Sequence, residues 1–198
     1  MSVKKFRVVK PEIRVLGVDD GSFIPHHGYA PIVGVVFRGG YWLEGVLSTK
    51  VKVDGFDATS KIASMITSSP HYCQVRVIML DGITFAGFNI VNIEDLNHLT
   101  KLPIIAITRD KPNFDDIKEA LKNLPNSTKR WEAIKAAGKV IVVPTKSRGR
   151  KIYMEICGIQ KSDAQKIVQL TSTRSHIPEA LRVAHFIASG TSRLTLNT

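Results

Sequence analysis

Ile13–Asp19, IRVLGVD, is the stretch that decides the fold, and it runs on into Asp20-Gly21-Ser22. Apolar and β-branched residues follow one another almost without a break, as in a strand buried on both faces. The DDGS that closes it is turn chemistry, so the strand ends by delivering an acidic pair, Asp19 and Asp20, to a loop.

Outward from this strand the pattern continues. Pro31–Phe37 (PIVGVVF) and Tyr41–Val53 read as two further strands, and Arg38-Gly39-Gly40 between them predicts a tight hairpin. Asp57–Ser68 has helical spacing, with Asp57 or Asp54 near its N-cap and Ile62, Met65 and Ile66 on one face. Gln74–Leu80 (QVRVIML) is a fourth strand that stops at Asp81-Gly82. A short helix is predicted over Val91–Leu99, and Pro103–Thr108 (PIIAIT) is a fifth strand. Helices follow over Phe114–Asn123 and Ser127–Ala137. Val140–Val143 and Lys151–Cys157 form one more strand pair around the basic turn Thr145–Arg150. Two helices close the chain, Lys161–Ser172 with Ser162 as N-cap, and Pro178–Ser189 with Pro178 at its start. Three sequential strands before the first crossover give a mixed α/β sheet flanked by helices, the element order of the RNase H-like fold. With no linker or repeat in 198 residues, one such domain over 1–198 is expected.

The chain carries 28 Lys and Arg against 17 Asp and Glu, a formal charge of +11. That excess attracts polyanions through phosphate contacts and counterion release, which favours a nucleic-acid partner. No apolar run has the length of a membrane span, and MSVKKFRVVK has no apolar stretch behind it, so neither a membrane nor a secretory route is expected. Cys73 and Cys157 form no CxxC spacing and lie in apolar runs, so they read as reduced core residues of a cytoplasmic protein. Oligomeric state is not encoded in any feature of the sequence.

Three acidic motifs fall at strand ends: GVDDGSF with Asp19 and Asp20, KVDGFDAT with Asp54 and Asp57, and MLDGITFAGF with Asp81. Ligands of open α/β sheets gather beyond the carboxyl ends of strands. If the first and fourth strands are parallel neighbours, Asp19 and Asp81 come side by side, and an acid of the second motif completes a cluster. Such a cluster suits Mg²⁺ or Mn²⁺, because hard cations take carboxylate oxygens and clustered carboxylates repel one another without a cation. Two cations held this way activate a water and neutralise a leaving oxygen in phosphodiester cleavage. Each Asp-Gly alone is equally a turn, and Asp54 or Asp57 equally a helix cap.

At these motifs the sequence resembles an archaeal family related to endonuclease V and called endonuclease dU. VLGVDDGSF, VDGFDAT, VIMLDGITFAGFNIVNI, LPIIAITRDKPN and PEALRVAHFIASG carry the resemblance, from Ile13 to about Gly190. It implies an endonuclease V-like nuclease that acts on damaged, uracil-containing DNA, with Asp19 on the GVD aspartate and Asp81 on the aspartate of the DG motif. The family's middle Glu has no clear counterpart, so Asp57 or Asp54 would stand in its place. The strand-separating wedge of endonuclease V is not recognisable.

The expected catalytic residues are therefore Asp19, Asp81 and Asp57, with Asp19, Asp20 and Asp81 on metal and Asp54, Glu179 and His185 as supporting candidates. RNase H-like nucleases often bring a late acid or histidine from a C-terminal helix, which motivates Glu179 and His185. An i,i+3 ion pair of Glu179 with Arg182 is the plainer reading. Lys146, Arg148, Arg150, Lys151 and Arg182 are the candidates for binding nucleic acid. His26-His27 could touch phosphate, and Phe85 and Phe88 could stack on an extruded base, though core packing is the commoner fate of phenylalanine. The expected activity is metal-dependent cleavage of DNA at a deaminated base in repair. The alternatives are an inactive nucleic-acid-binding module of the same fold and an RNA-directed endonuclease.

Overall fold

The computed structural model describes residues 3–145 and 150–195, the last three by backbone alone. Lys146 and Arg148 lie outside the described residues. Along the chain come β1 (Arg14–Asp20), β2 (Tyr29–Arg38), β3 (Trp42–Lys52), α1 (Ala58–Thr67), β4 (Val77–Asp81), β5 (Thr84–Phe85) and β6 (Asn89–Ile90). Then follow α2 (Ile93–Thr100), β7 (Ile104–Thr108), α3 (Phe114–Leu121), α4 (Ser127–Ala136), β8 (Ile141–Pro144), β9 (Lys151–Cys157), α5 (Lys161–Thr171) and α6 (Glu179–Thr195).

Seven strands form one mixed sheet in the order β3-β2-β1-β4-β7-β9-β8. β1, β4 and β7 are parallel, and the strands outside them run antiparallel. The three parallel strands are the most continuously apolar segments because helices cover both their faces. Alternation divides their side chains. Leu16, Val18, Ile78, Leu80, Ile104 and Ala106 join the core that contains Ile62, Ile66 and Leu96 of α1 and α2. Val15, Val77, Met79, Ile105 and Ile107 join the opposite core with Ile167, Leu181 and Ala184 of α5 and α6. The mixed sheet flanked by helices, and the parallel pairing of the first and fourth strands, are as the sequence predicts.

Close packing of α6 on β1 has a visible cause. A Cβ on Gly17 would stand 2.4 Å from the Ala180 carbonyl carbon, so only glycine lets the helix lie this close. Beyond Gly17, β1 rises toward Asp19 as α6 runs from Ala180 toward His185, in the same direction.

Several local expectations are corrected. α6 runs past Ser189, and the Ser192 hydroxyl accepts from the Ser22 amide at 2.9 Å, tying its far end to the loop after β1. α5 is capped at Gln160 rather than Ser162. The small β5–β6 hairpin has no counterpart in the sequence reading; two-residue strands are too short for periodicity to reveal. Cys73 is exposed because residues 71–74 form a turn and β4 starts at Val77 rather than Gln74, and Cys157 is only half-buried at the end of β9. Among the described residues, no helix is long and apolar enough to cross a membrane.

Candidate metal centre

Asp19 is the sixth residue of β1 and Asp81 the last of β4, and both face α6, where alternation puts Gly17 and Met79 as well. α6 supplies His185 from above. One ligand atom each from Asp19, Asp81 and His185 lie within 4.8 Å of one another. His185 Nδ1 stands 2.9 Å from Asp19 Oδ2, while Asp19 Oδ1 accepts from the Asp20 amide at 2.8 Å. Arg109, one residue past β7, donates from Nη2 to Asp81 Oδ2 at 3.2 Å. These groups line an open cleft of about 550 Å³ together with Asp20, Gly82, Thr84, Thr108, Lys111 and Ile117.

Electrostatics mark Asp19 as the centre of this arrangement. It is 4% exposed. Burial, then the charges of Asp81 and Asp20, push its carboxyl up to about 8, against a smaller opposing effect of the Asp20 amide and Arg109. A carboxylate so placed ionises readily only when a cation joins it. Two carboxylates and an imidazole are a donor set for a divalent ion, and the imidazole moves the preference toward Mn²⁺ relative to an all-oxygen set. The donors fit the cation that the sequence implies.

Asp20 follows the alternation to the other face of the sheet. Its Oδ2 accepts from the Ala86 amide at 2.5 Å, and burial raises its carboxyl above the usual range against that bond. It lines the cleft but is not one of the three converging groups.

Neither Asp57 nor Asp54 is among the three converging groups, whose third member is His185. Asp57 accepts from the Lys52 amide at 3.2 Å and from Asn89 Nδ2 at 2.6 Å. It makes no side-chain cap; Asn89 Oδ1 caps α1 from outside by accepting from the Ala58 amide at 3.0 Å. Asp54, in the left-handed region at φ 52°, accepts from the Phe88 amide at 2.9 Å and sits 2.8 Å from His26 Nδ1. Neither Asp54 nor Asp57 lines the cleft. Both hold the β5–β6 hairpin in position, because the second motif must bridge β3 and that hairpin. Arg130 of α4 completes the bridge. Its buried guanidinium donates to the carbonyls of Asp54, Gly55, Phe88 and Pro125. No spacing in the sequence points to Arg130.

Glu179 lies one helical turn and more before His185 and is 2% exposed. Its carboxylate takes the Arg174 amide at 2.8 Å and the Arg182 guanidinium at 2.5 and 2.8 Å, the i,i+3 pair, so it is committed away from the cleft. Phe85 is core, which leaves it no face for a base, and Phe88 is partly buried against the core. His27 Nδ1 contacts the Pro25 carbonyl. Arg150 and Lys151 stand where β9 meets Pro144 and Tyr153 opposes Thr108, at the sheet edge that carries the cleft. Arg109 is not among the candidates the sequence offers; its signal there is a basic residue directly after the apolar strand that neighbours β4.

Comparison with known proteins places this geometry. The family model described as "Endonuclease dU" matches residues 11–192. A "UPF0215 protein" of Methanosarcina acetivorans is 50% identical over 182 residues, covering 92% of each chain. The crystal structure of a protein of unknown function from Archaeoglobus fulgidus is 35% identical with a TM-score of 0.81, over 90% of this chain and 98% of that one. Endonuclease V of Ciona intestinalis, crystallised with inosine-containing DNA, has a TM-score of 0.60 at 17% identity, over 93% and 87%. At that identity the likeness is one of fold.

Proposed function

The chain belongs to the endonuclease dU family, and from that premise we propose that it is a divalent-metal-dependent endonuclease hydrolysing a phosphodiester bond in DNA that contains a deaminated base, deoxyuridine above all. One observation carries the reading: Asp19, Asp81 and His185 converge to within 4.8 Å at the carboxyl edge of the sheet, in an open cleft of a chain with charge +11. An open cleft in a basic chain admits a polymer backbone, where a closed pocket would admit only a small substrate.

Asp19, Asp81 and His185 would hold Mg²⁺ or Mn²⁺, which when bound offsets phosphate charge and makes water a better nucleophile at neutral pH. Arg109 and Lys111 bring positive charge to the same cleft and orient the scissile phosphate. With Nδ1 donating to Asp19, the His185 Nε2 would be the nitrogen left to face the cation, and the proton of the attacking water passes to solvent. The phosphorus–oxygen bond to the leaving group breaks as the new one forms. On the other side of Asp81, Gly82, Thr84, Thr108 and Ile117 line the part of the cleft that we assign to the base.

End-labelled DNA and RNA strands carrying uracil, inosine or no lesion, incubated with and without Mg²⁺, test this. Cleavage of uracil-containing DNA that is abolished by chelator supports it. Binding with no cleavage of any strand supports the inactive module instead, and cleavage of RNA alone moves the substrate class.

A further inference from the structure

Phe186 is 58% exposed on α6, directly after His185. A large apolar ring left in water beside a metal centre calls for a partner, and the neighbouring groups are built around it. The Arg182 guanidinium lies 5.1 Å from the Phe186 ring centroid, and the His185 ring centroid lies 6.4 Å from it. Arg182 is held by two hydrogen bonds. Its Nε and Nη2 both reach the buried carboxylate of Glu179. Nη1 has no hydrogen-bond partner among the described residues. Glu179 also holds the Arg174 amide, and Arg150 Nη1 lies 3.4 Å from His176 Nδ1, so Arg150 and the 174–176 loop flank the same helix start. Of the other exposed aromatics, Tyr41 and Trp42 stand at the β2–β3 turn, at the opposite end of the sheet from the cleft, while Tyr29 opens β2, Phe56 precedes α1 against Lys129 and Arg130, and Phe114 opens α3 against Trp131.

We propose that Phe186, backed by Arg182, is a stacking platform for a base of the bound DNA strand within one or two nucleotides of the cleaved bond, with Arg174 and Arg150 following the strand's phosphates. It rests on the reading of the substrate as DNA. A ring and a guanidinium beside each other bind any base by its face and the backbone by charge, which suits a strand held without regard to sequence. The separation of 6.4 Å from the His185 ring spans about two base rises of 3.4 Å. Positive charge excludes an apolar protein surface as the natural occupant, since Arg150, Arg174 and Arg182 would have to be desolvated against it.

The test uses uracil-containing oligonucleotides with 2-aminopurine placed in turn at each position near the uracil, bound in the presence of chelator so that no strand is cut. Wild type should quench the probe at one or two positions on one side of the lesion. Phe186→Ala should lose that quenching and bind about 10-fold more weakly, within the range for one lost base–aromatic stack. Phe186→Trp should restore both. Phe186→Ala that quenches and binds as wild type, with an unchanged circular-dichroism spectrum, overturns the platform while leaving DNA cleavage as the function. Wild type that binds no DNA overturns both. A wild-type dimer that Phe186→Ala converts to monomer would assign the ring to a second copy of the chain and also overturn the proposal.

Discussion

Asp19→Asn should make the metal-free protein more stable, and more so as pH rises. An ordinary aspartate titrates near 3.8, whereas burial and the neighbouring Asp81 and Asp20 push Asp19 up to about 8. A group whose folded value lies above its unfolded value holds its proton more tightly in the native state. Below about pH 4 the carboxyl is neutral in both states and costs nothing. Through the window between the two values, each pH unit removes about 1.4 kcal/mol from the wild type, and above about pH 8 the loss levels off. An amide has no such slope. Between about pH 5 and pH 8 the variant's advantage should therefore widen by about 4 kcal/mol at most. The altered contact with His185 subtracts about 1 kcal/mol at every pH. Urea unfolding in chelator, repeated across the series, reads this directly. Adding Mn²⁺ should reverse the order, since mass action stabilises only the protein that binds it. An advantage that does not change with pH, or a wild type that gains stability as pH rises in chelator, would refute the reasoning.

Glu155, 4% exposed on β9 opposite Ala106, is pushed by burial up to about 7. Its stability contribution is intact at acid pH and lost as pH rises from the unfolded value near 4.5, so Glu155→Gln should gain about 3 kcal/mol by pH 8 and nothing at pH 4 in thermal melts. Arg130→Met strands the carbonyls of Asp54, Gly55, Phe88 and Pro125 and should cost about 3–5 kcal/mol in urea unfolding; a near-neutral result would mean that water replaces the guanidinium. Arg109→Ala should act in opposite directions on two readouts. Calorimetry should show tighter Mn²⁺ binding, because a cation beside Asp81 has gone, while single-turnover cleavage slows by about 100-fold through the loss of a phosphate contact.

The strands were legible wherever one side-chain pattern had one explanation. IRVLGVD, VIML and PIIAIT are apolar on both faces, so they had to lie mid-sheet, and acids after the first two had to emerge at one edge. Alternation along β1 further separated Asp19 from Asp20. The third member of the cluster was not legible from spacing. Asp57 lies in an acidic motif like the others and β3 ends at the same edge, but β2 stands between β3 and β1, and the segment after β3 meets the β5–β6 hairpin, where Asn89 and the Lys52 amide take the carboxylate. His185 is 166 residues from Asp19 in sequence. Only the docking of α6 on Gly17 brings them together, and that close approach shows in the sequence merely as a glycine within an apolar strand. Arg130 lay further from view, since a buried arginine serving backbone carbonyls has no pattern of its own.

Diffraction from crystals soaked in Mn²⁺ tests the central claim most directly. The account predicts an anomalous peak among the carboxylates of Asp19 and Asp81 and the imidazole of His185, with ligand distances of about 2.2 Å, and its loss in Asp81→Asn. No peak there at saturating Mn²⁺, or a peak held by Asp54 and Asp57 instead, would contradict it.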